Sequence, residues 1–313
     1  MNAGDATSIS FSSESEPLGI IGLGLLGLAL ADRALASGLK VCGFDLDPAR
    51  RALLETSGGV AAASAQEVAQ GCRFLFFVLP HHGVTLEVVD RLQDSLAPGS
   101  VILDASTGDP RAAVALGDRL AKKGLIYLDS TISGSSVQAR LGEAVFMVGG
   151  APEAFDRCRH LFEALHMKAI HTGDCGSGAV MKLVTNLVLG LNRAALAEGL
   201  VFAAALNLDP TKALEVMKAT AAYSRAMDTK GEKMLRGDFE PQARLSQHLK
   251  DVRLILEAAS RAGRRLPLSE AHRDLLEHAE SLGLGGLDNS AILRAIESPC
   301  AEEAGRRARA ETL

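Results

Sequence analysis

The sequence predicts an α/β protein in two parts: a doubly wound, mostly parallel sheet, then an all-α C-terminal domain joined to it by a long helix. Three observations predict this. A glycine-rich turn sits between a short apolar strand and an amphipathic run within residues 18–48. Short apolar strands then alternate with helical stretches to about Gly173, the pattern of right-handed βαβ crossovers. After Gly178 strand signals vanish and helix-compatible sequence takes over.

The first element is LGII, running into Gly22-Leu23-Gly24-Leu25-Leu26-Gly27 and an apolar helix; KVCGF follows and ends in Asp45. In such a turn the first glycine reverses the chain, the second lets backbone approach a pyrophosphate, and the third lets helix and strand pack closely. The helix starting there aims free N–H groups and its positive dipole end at the phosphates. Strand, turn, helix and acid together predict a Rossmann-type dinucleotide site holding NAD. A carboxylate at Asp45 suits the ribose 2′-hydroxyl and repels a 2′-phosphate, which makes NADP the second choice. Arg50 and Arg51 leave that second choice open.

The remaining strands are RFLFFVLP, SVILDAS, LIYLDS, AVFMVGG and KAIHTG. Continuous apolar character in FLFFVL and SVILD fits strands covered on both faces. The helical half opens with a run of about 30 residues, near 45 Å if continuous, in which Gly190 and Gly199 imply close packing. Asp209-Pro210 starts the next helix, and TKALEVMKATA, ARLSQHLKDVRLILEAASRAG, LSEAHRDLLEHAESLG and NSAILRAIE follow. The expected layout is a disordered lead-in (1–17), a dinucleotide-binding domain (18–174), a helical substrate and dimerisation domain (175–298) and a frayed tail (299–313).

Composition narrows the classes. The chain has 313 residues and a formal charge of −5, with no basic patch, which argues against a nucleic-acid partner. Its five cysteines are scattered without a C-x-x-C pair and read as reduced thiols. No apolar run is expected to reach the length of a membrane span, and the first residues resemble neither a signal nor a transit peptide. No membrane partner is expected, and the cytoplasm is the expected location. A long apolar helix needs covering, so a homodimer or homotetramer through the helical domain is expected.

Several segments offer chemistry. Lys182 and Asn186 lie one helical turn apart just after the domain junction, where such folds bind ligands; a lysine snorkelling from an apolar helix reads the same way. Thr131 to Ser136 carries Ser133, Gly134 and Ser135 in a turn able to hold a carboxylate, or forms an ordinary polar turn. Ser106-Thr107 ends a strand with hydroxyls placed for the nicotinamide end of a cofactor, or caps the next helix. His81 and His82, adjacent on an extended segment, point to opposite sides and fit a loop contact better than a catalytic pair. No cluster has metal-ligand spacing.

Taken in order, these segments resemble the β-hydroxyacid dehydrogenase family from about Leu18 to Glu297. The family's G-L-G-x-M-G is matched by residues 22–27, with Leu26 for Met; its D-x-x-x-S-G-G by Asp129 to Ser135; its G-x-G-x-x-x-K-x-x-N-N by Gly176, Gly178, Lys182 and Asn186, with Thr185 for the first Asn. Lys250-Asp251 matches the K-D pair, and Asp288, Ser290 and Ala291 match D-x-S-A. Where many relatives carry a pocket Phe, this chain has Ala243, followed by Arg244. The resemblance implies hydride transfer between a nicotinamide and a small anionic 3-hydroxy acid such as 3-hydroxyisobutyrate. It makes Lys182 the general acid/base, with Ser133, Gly134, Ser135 and Asn186 on the substrate. Leu79, Pro80, Ser106, Thr107 and Lys250 join the glycine turn and Asp45 around the cofactor. The alternatives are an NADPH-dependent semialdehyde or imine reductase, and a catalytically silent NAD-binding scaffold. Retention of Lys182 and Asn186 weighs against the last two.

Overall fold

The computed structural model describes residues 16–298, and the chain divides into two compact units at Lys182/Leu183. Of the expected lead-in only Glu16 and Pro17 fall among the described residues, and the expected tail 299–313 lies outside them.

The first unit holds one eight-stranded sheet: β1 (Leu18–Ile21), β2 (Val41–Phe44), β3 (Val60–Ala61), β4 (Phe74–Phe77), β5 (Val101–Asp104), β6 (Ile126–Ser133), β7 (Val145–Gly149) and β8 (Lys168–Gly173). The spatial order is β3-β2-β1-β4-β5-β6-β7-β8, parallel throughout except for the antiparallel β6–β7 pair. Strand order reverses between β1 and β4, and ligands of such sheets bind beyond the carboxyl ends at that point. The segments following β1, β4 and β5 there are the glycine turn, Leu79-Pro80 and Ser106-Thr107.

Seven helices cover the sheet: α1 (Leu25–Ala36), α2 (Pro48–Thr56), α3 (Ala65–Gly71), α4 (His82–Leu92), α5 (Pro110–Ala121), α6 (Ser136–Leu141) and α7 (Pro152–Ala164). Strand side chains alternate between two cores. Phe76 and Leu103 pack with α1 and α7, while Leu75, Phe77 and Ile102 pack with α3, α4 and α5. Asp-Pro starts two of these helices. The carboxylates of Asp47 and Asp109 accept the Ala49 and Arg111 N–H groups at 2.9 and 3.0 Å, and Pro occupies the first helical position, where no N–H is needed.

The second unit is helical. Helix α8 (Ser177–Ala205) crosses the division, followed by α9 (Pro210–Ala219), α10 (Arg225–Arg236), α11 (Leu245–Arg261), α12 (Pro267–Ser281), a 3₁₀ turn (Asn289–Ala291) and α13 (Ile292–Glu297). Leu200, Leu214, Met234, Leu249, Leu276 and Ile292 form its core. Gly190 justifies its place in α8: a Cβ there would stand 2.5 Å from His248 Nε2 and 2.7 Å from His272 Cε1. One expectation needs correcting. By length and composition α8 could span a membrane, since an 18-residue stretch reaches a mean hydropathy of 1.5. Its polar residues are too widely spaced to prevent that. Two of them, Asn186 and Arg193, are nonetheless buried within the protein.

Asp288 staples this unit. Its fully buried carboxylate accepts Lys230 Nζ at 2.8 and 2.9 Å, the Ser290 hydroxyl at 2.7 Å, and the N–H groups of Gln242, Ala243 and Ser290 at 3.0, 3.2 and 3.1 Å. Burial alone would raise its pKa, but the Lys230 ammonium and the Ser290 donors outweigh that and hold it at about 2.

Candidate active site

The glycine turn fits a dinucleotide. Gly22 adopts φ +96°, and a Cβ there would stand 2.3 Å from the Val78 carbonyl oxygen, in a turn that Leu79 closes from the side. A Cβ on Gly27 would overlap the Gly22 carbonyl oxygen at 2.0 Å, so turn and helix touch backbone to backbone. Gly24 meets nothing within 4 Å and caps α1 without a side-chain hydrogen bond, which leaves that surface and the first helical amides open to a phosphate. Asp45 lies at the end of β2. Its Oδ2 accepts the Leu23 N–H of the turn at 2.7 Å, and its Oδ1 accepts the Asp47 N–H at 2.9 Å. Of the two arginines that could serve a 2′-phosphate, Arg51 donates to the Asp45 carbonyl at 2.6 Å and lies over the Phe44 ring, whereas Arg50 stands 3.9 Å from Asp47 with both side chains exposed.

Strand β6 builds the chemical end. Asp129 is buried on it, and its two oxygens accept the N–H groups of Gly176 and Ala179 at 2.8 and 2.7 Å, fastening the start of α8 to the sheet. Burial raises the Asp129 pKa, and the backbone donors oppose that shift. The Thr131 hydroxyl adds a bond to the Gly178 carbonyl at 2.8 Å. Gly178 is required here because a Cβ would lie 2.3 Å from the Asp129 carbonyl oxygen. One turn further along, the Lys182 ammonium donates to the Ile132 carbonyl at 2.5 Å, directly before Ser133. The lysine and the Ser133–Ser135 turn, predicted separately, therefore meet in one unit.

Not every candidate is free to bind. Ser135 is the N-cap of α6: its hydroxyl accepts the Gln138 N–H, and its own N–H donates to Gln138 Oε1 at 2.8 Å. That leaves the Ser135 hydroxyl proton, the half-buried Ser133 hydroxyl and exposed Gly134. Asn186 lies a turn beyond Lys182 on α8 and donates to Asp251 Oδ2 at 3.1 Å. Lys250, half-buried on α11, immediately precedes that aspartate. Arg244 is exposed at the N-cap of α11.

Asp109, not Ser106 or Thr107, caps α5. Ser106 instead joins a buried cluster that sequence reasoning missed. Asp104 accepts the Ser106 N–H (2.9 Å) and the hydroxyls of Thr85 (3.2 Å) and Tyr127 (2.9 Å), and it pairs with His82 Nδ1 at 3.0 Å. The Thr85 and Ser106 hydroxyls are 2.9 Å apart. The Asp104 side chain locks the segment on which Thr107 is half-exposed. His82 opens α4 while His81 is its exposed N-cap, so the two histidines do diverge. The only advance signal was an aspartate ending an otherwise apolar strand.

An open phosphate cradle, an acid at the next strand end and a lysine beside a polar turn define a nicotinamide-dependent oxidoreductase. Comparison with known proteins sharpens that class. Residues 17–173 match the NAD-binding domain of 6-phosphogluconate dehydrogenase, and residues 176–296 match the NAD-binding domain of NADP-dependent 3-hydroxyisobutyrate dehydrogenase. The chain is 32% identical to 2-(hydroxymethyl)glutarate dehydrogenase of Eubacterium barkeri, over 91% of this chain and 96% of that one. It is 30% identical to L-threonate dehydrogenase of Cupriavidus necator, over 90% and 96%. The crystal structure of 3-hydroxyisobutyrate dehydrogenase from Salmonella typhimurium superposes with a TM-score of 0.82 at 28% identity, covering 89% of this chain and 99% of that one. The chain belongs to the β-hydroxyacid dehydrogenase family and is an NAD(P)-dependent oxidoreductase acting on CH–OH donors.

Proposed function

We propose that the protein interconverts a small 3-hydroxy acid and its carbonyl form, with Lys182 as the general acid/base and NAD as the preferred cofactor. The observation that carries this reading is the Lys182 ammonium held at the Ile132 carbonyl, next to the Ser133 turn. The Ser133 and Ser135 hydroxyls and the Gly134 N–H bind the carboxylate, and Asn186 orients the hydroxyl. The Asp251 bond occupies one N–H of the Asn186 amide, leaving its carbonyl oxygen as an acceptor. A bound nicotinamide supplies or accepts the hydride. Lys182 donates a proton to the carbonyl oxygen in reduction and removes the hydroxyl proton in oxidation. A free lysine titrates near 10.4, so the base role at neutral pH needs a depression of about 3 units, or about 4 kcal/mol. The acid role needs less, so reduction is at least as plausible a physiological direction as oxidation. Asp45 carries the preference for NAD, since its carboxylate would repel a 2′-phosphate and Arg51 is tied to the Asp45 carbonyl.

The test is Lys182→Ala, assayed on a panel of 3-hydroxyisobutyrate, glycerate, threonate and 2-(hydroxymethyl)glutarate. NAD binding should survive while kcat falls by roughly 10²–10⁴. Near-wild-type turnover would remove Lys182 from the mechanism.

We also propose that the helical unit forms a homodimer or homotetramer, through the face of α8 that leaves Val184, Val188 and Phe202 exposed at 48, 50 and 64%.

A further inference from the structure

Cys42 and Cys72 share no motif, yet the sheet brings them together. Cys42 is on β2 in register with Gly19 of β1. Register partners in neighbouring parallel strands point to the same face, about 4.8 Å apart. The end of α3 comes down over that face. A Cβ on Gly19 would stand 3.0 Å from Cys72 Cβ and 3.3 Å from Cys72 Sγ, so the missing side chain is the space in which Cys72 sits beside Cys42. Both cysteines pack in the same apolar cluster between the sheet and α3. Cys72 is buried at 3% exposure while Cys42 is partly exposed, so an aqueous oxidant reaches one sulfur with the other directly behind it.

We propose that these residues form a peroxide-sensitive dithiol: Cys42 is the sulfur oxidised first and Cys72 the thiol that resolves it to an intrachain disulfide. The Cys42 thiolate attacks one oxygen of hydrogen peroxide and the O–O bond breaks. The departing hydroxide takes a proton and leaves as water, and Cys42 becomes a sulfenic acid. Cys72 sulfur then attacks Cys42 sulfur. The S–O bond breaks, the S–S bond forms, and the Cys72 proton leaves with the hydroxyl as a second water. Two electrons pass from the sulfur pair to one peroxide.

The roles follow from exposure: Cys42 is open to the oxidant, and neighbouring Cys72 lowers its thiol pKa towards the reactive thiolate, whereas the buried Cys72 thiol is pushed up. Closing the bond brings the sulfurs to about 2.05 Å, tying the end of α3 to the strand that leads into Asp45.

The experiment treats the purified full-length chain with hydrogen peroxide, blocks free thiols with iodoacetamide and digests with trypsin without reductant. Cleavage after Lys40, Arg50, Arg51 and Arg73 isolates Cys42 in residues 41–50 and Cys72 in residues 52–73. The expected product is these two peptides joined, lighter by two hydrogen atoms than their sum and separated by dithiothreitol. In Cys72→Ser, checked for fold by circular dichroism, the link should vanish and dimedone should capture a sulfenic acid on Cys42. The proposal is overturned if wild-type chain yields both peptides singly alkylated, if Cys42 passes to sulfinic acid unlinked, or if the disulfide joins other cysteines or two chains. The wild-type map decides the matter even if Cys72→Ser does not fold.

Discussion

Replacing Asp288 with Ala tests the staple of the helical unit without knowledge of the substrate. The change removes every acceptor for Lys230 Nζ on that side and strands the N–H groups of Gln242, Ala243 and Ser290. Breaking a buried pair by removing one partner costs about 3–5 kcal/mol, because the other charge remains buried and uncompensated. Domains have only about 5–15 kcal/mol in total, so the variant should lose about a fifth or more of its stability. The melting midpoint should fall by roughly 10–20 °C. Urea denaturation followed by circular dichroism measures the loss. The milder Asp288→Asn keeps an acceptor but leaves Lys230 charged, and adding Lys230→Met should return at least about 1 kcal/mol.

The same unit should be acid-sensitive in two stages. His272 is held down to about 4 by burial and then by the Arg193 charge, so the unfolded chain takes up a proton that the folded one refuses. Its contribution is complete above about pH 6.5 and disappears as pH falls to 4. Asp288, held at about 2, contributes fully above about pH 4 and loses its contribution towards pH 2. Each stage corresponds to about 2–3 kcal/mol. An Asp288→Ala variant within about 1 kcal/mol of wild type, with no change in acid sensitivity below pH 4, would refute the assignment of this carboxylate as a structural anchor.

Three other outcomes are expected. Gly178→Ala would place a Cβ 2.3 Å from the Asp129 carbonyl oxygen and push α8 away by about 1 Å, a misplacement that costs about 10²-fold in rate. Steady-state kinetics beside a melting curve would show whether kcat falls further than stability explains. Asp45→Ser should narrow the gap between the NAD and NADP Kd values, read by cofactor fluorescence titration, and a wild type that already prefers NADP would contradict the role given to this carboxylate. Val188→Glu on the exposed face of α8 should convert an oligomer to monomers in light scattering, and an unchanged mass would place the interface elsewhere.

Local pattern made much of this protein legible. The glycine turn, the continuous apolar strands and the loss of strand signals after Gly178 each follow from nearest-neighbour chemistry, and all appear in the structure. What escaped was tertiary or weakly patterned. Strand β3 is two residues on the sheet edge, Val60 largely exposed, too short for any periodicity. Helix α10 carries so many charged residues that only Ala226, Met227, Lys230, Gly231 and Met234 mark its inner face, one of them the Asp288 partner. The D-x-S-A resemblance located Asp288 but not its task, which depends on Lys230, 58 positions away. Asp129 looked like the opening of a substrate motif, whereas its carboxylate holds a helix start. Ser135 and Ser106 were chosen for hydroxyls that the fold partly commits to a cap and to the Asp104 cluster.

The fastening of α8 to β6 also bears on how such an enzyme can change over time. The glycine turn, Asp45, the Ser133 turn and Lys182 all lie upstream of the division after Lys182, anchored to one sheet. Asn186, Ala243, Arg244 and Lys250 lie downstream of it. Changes confined to the second half of the gene therefore leave the β6–α8 fastening and the glycine turn untouched. The two halves can drift at different rates, the helical one free to vary while the sheet-borne anchors are inherited intact.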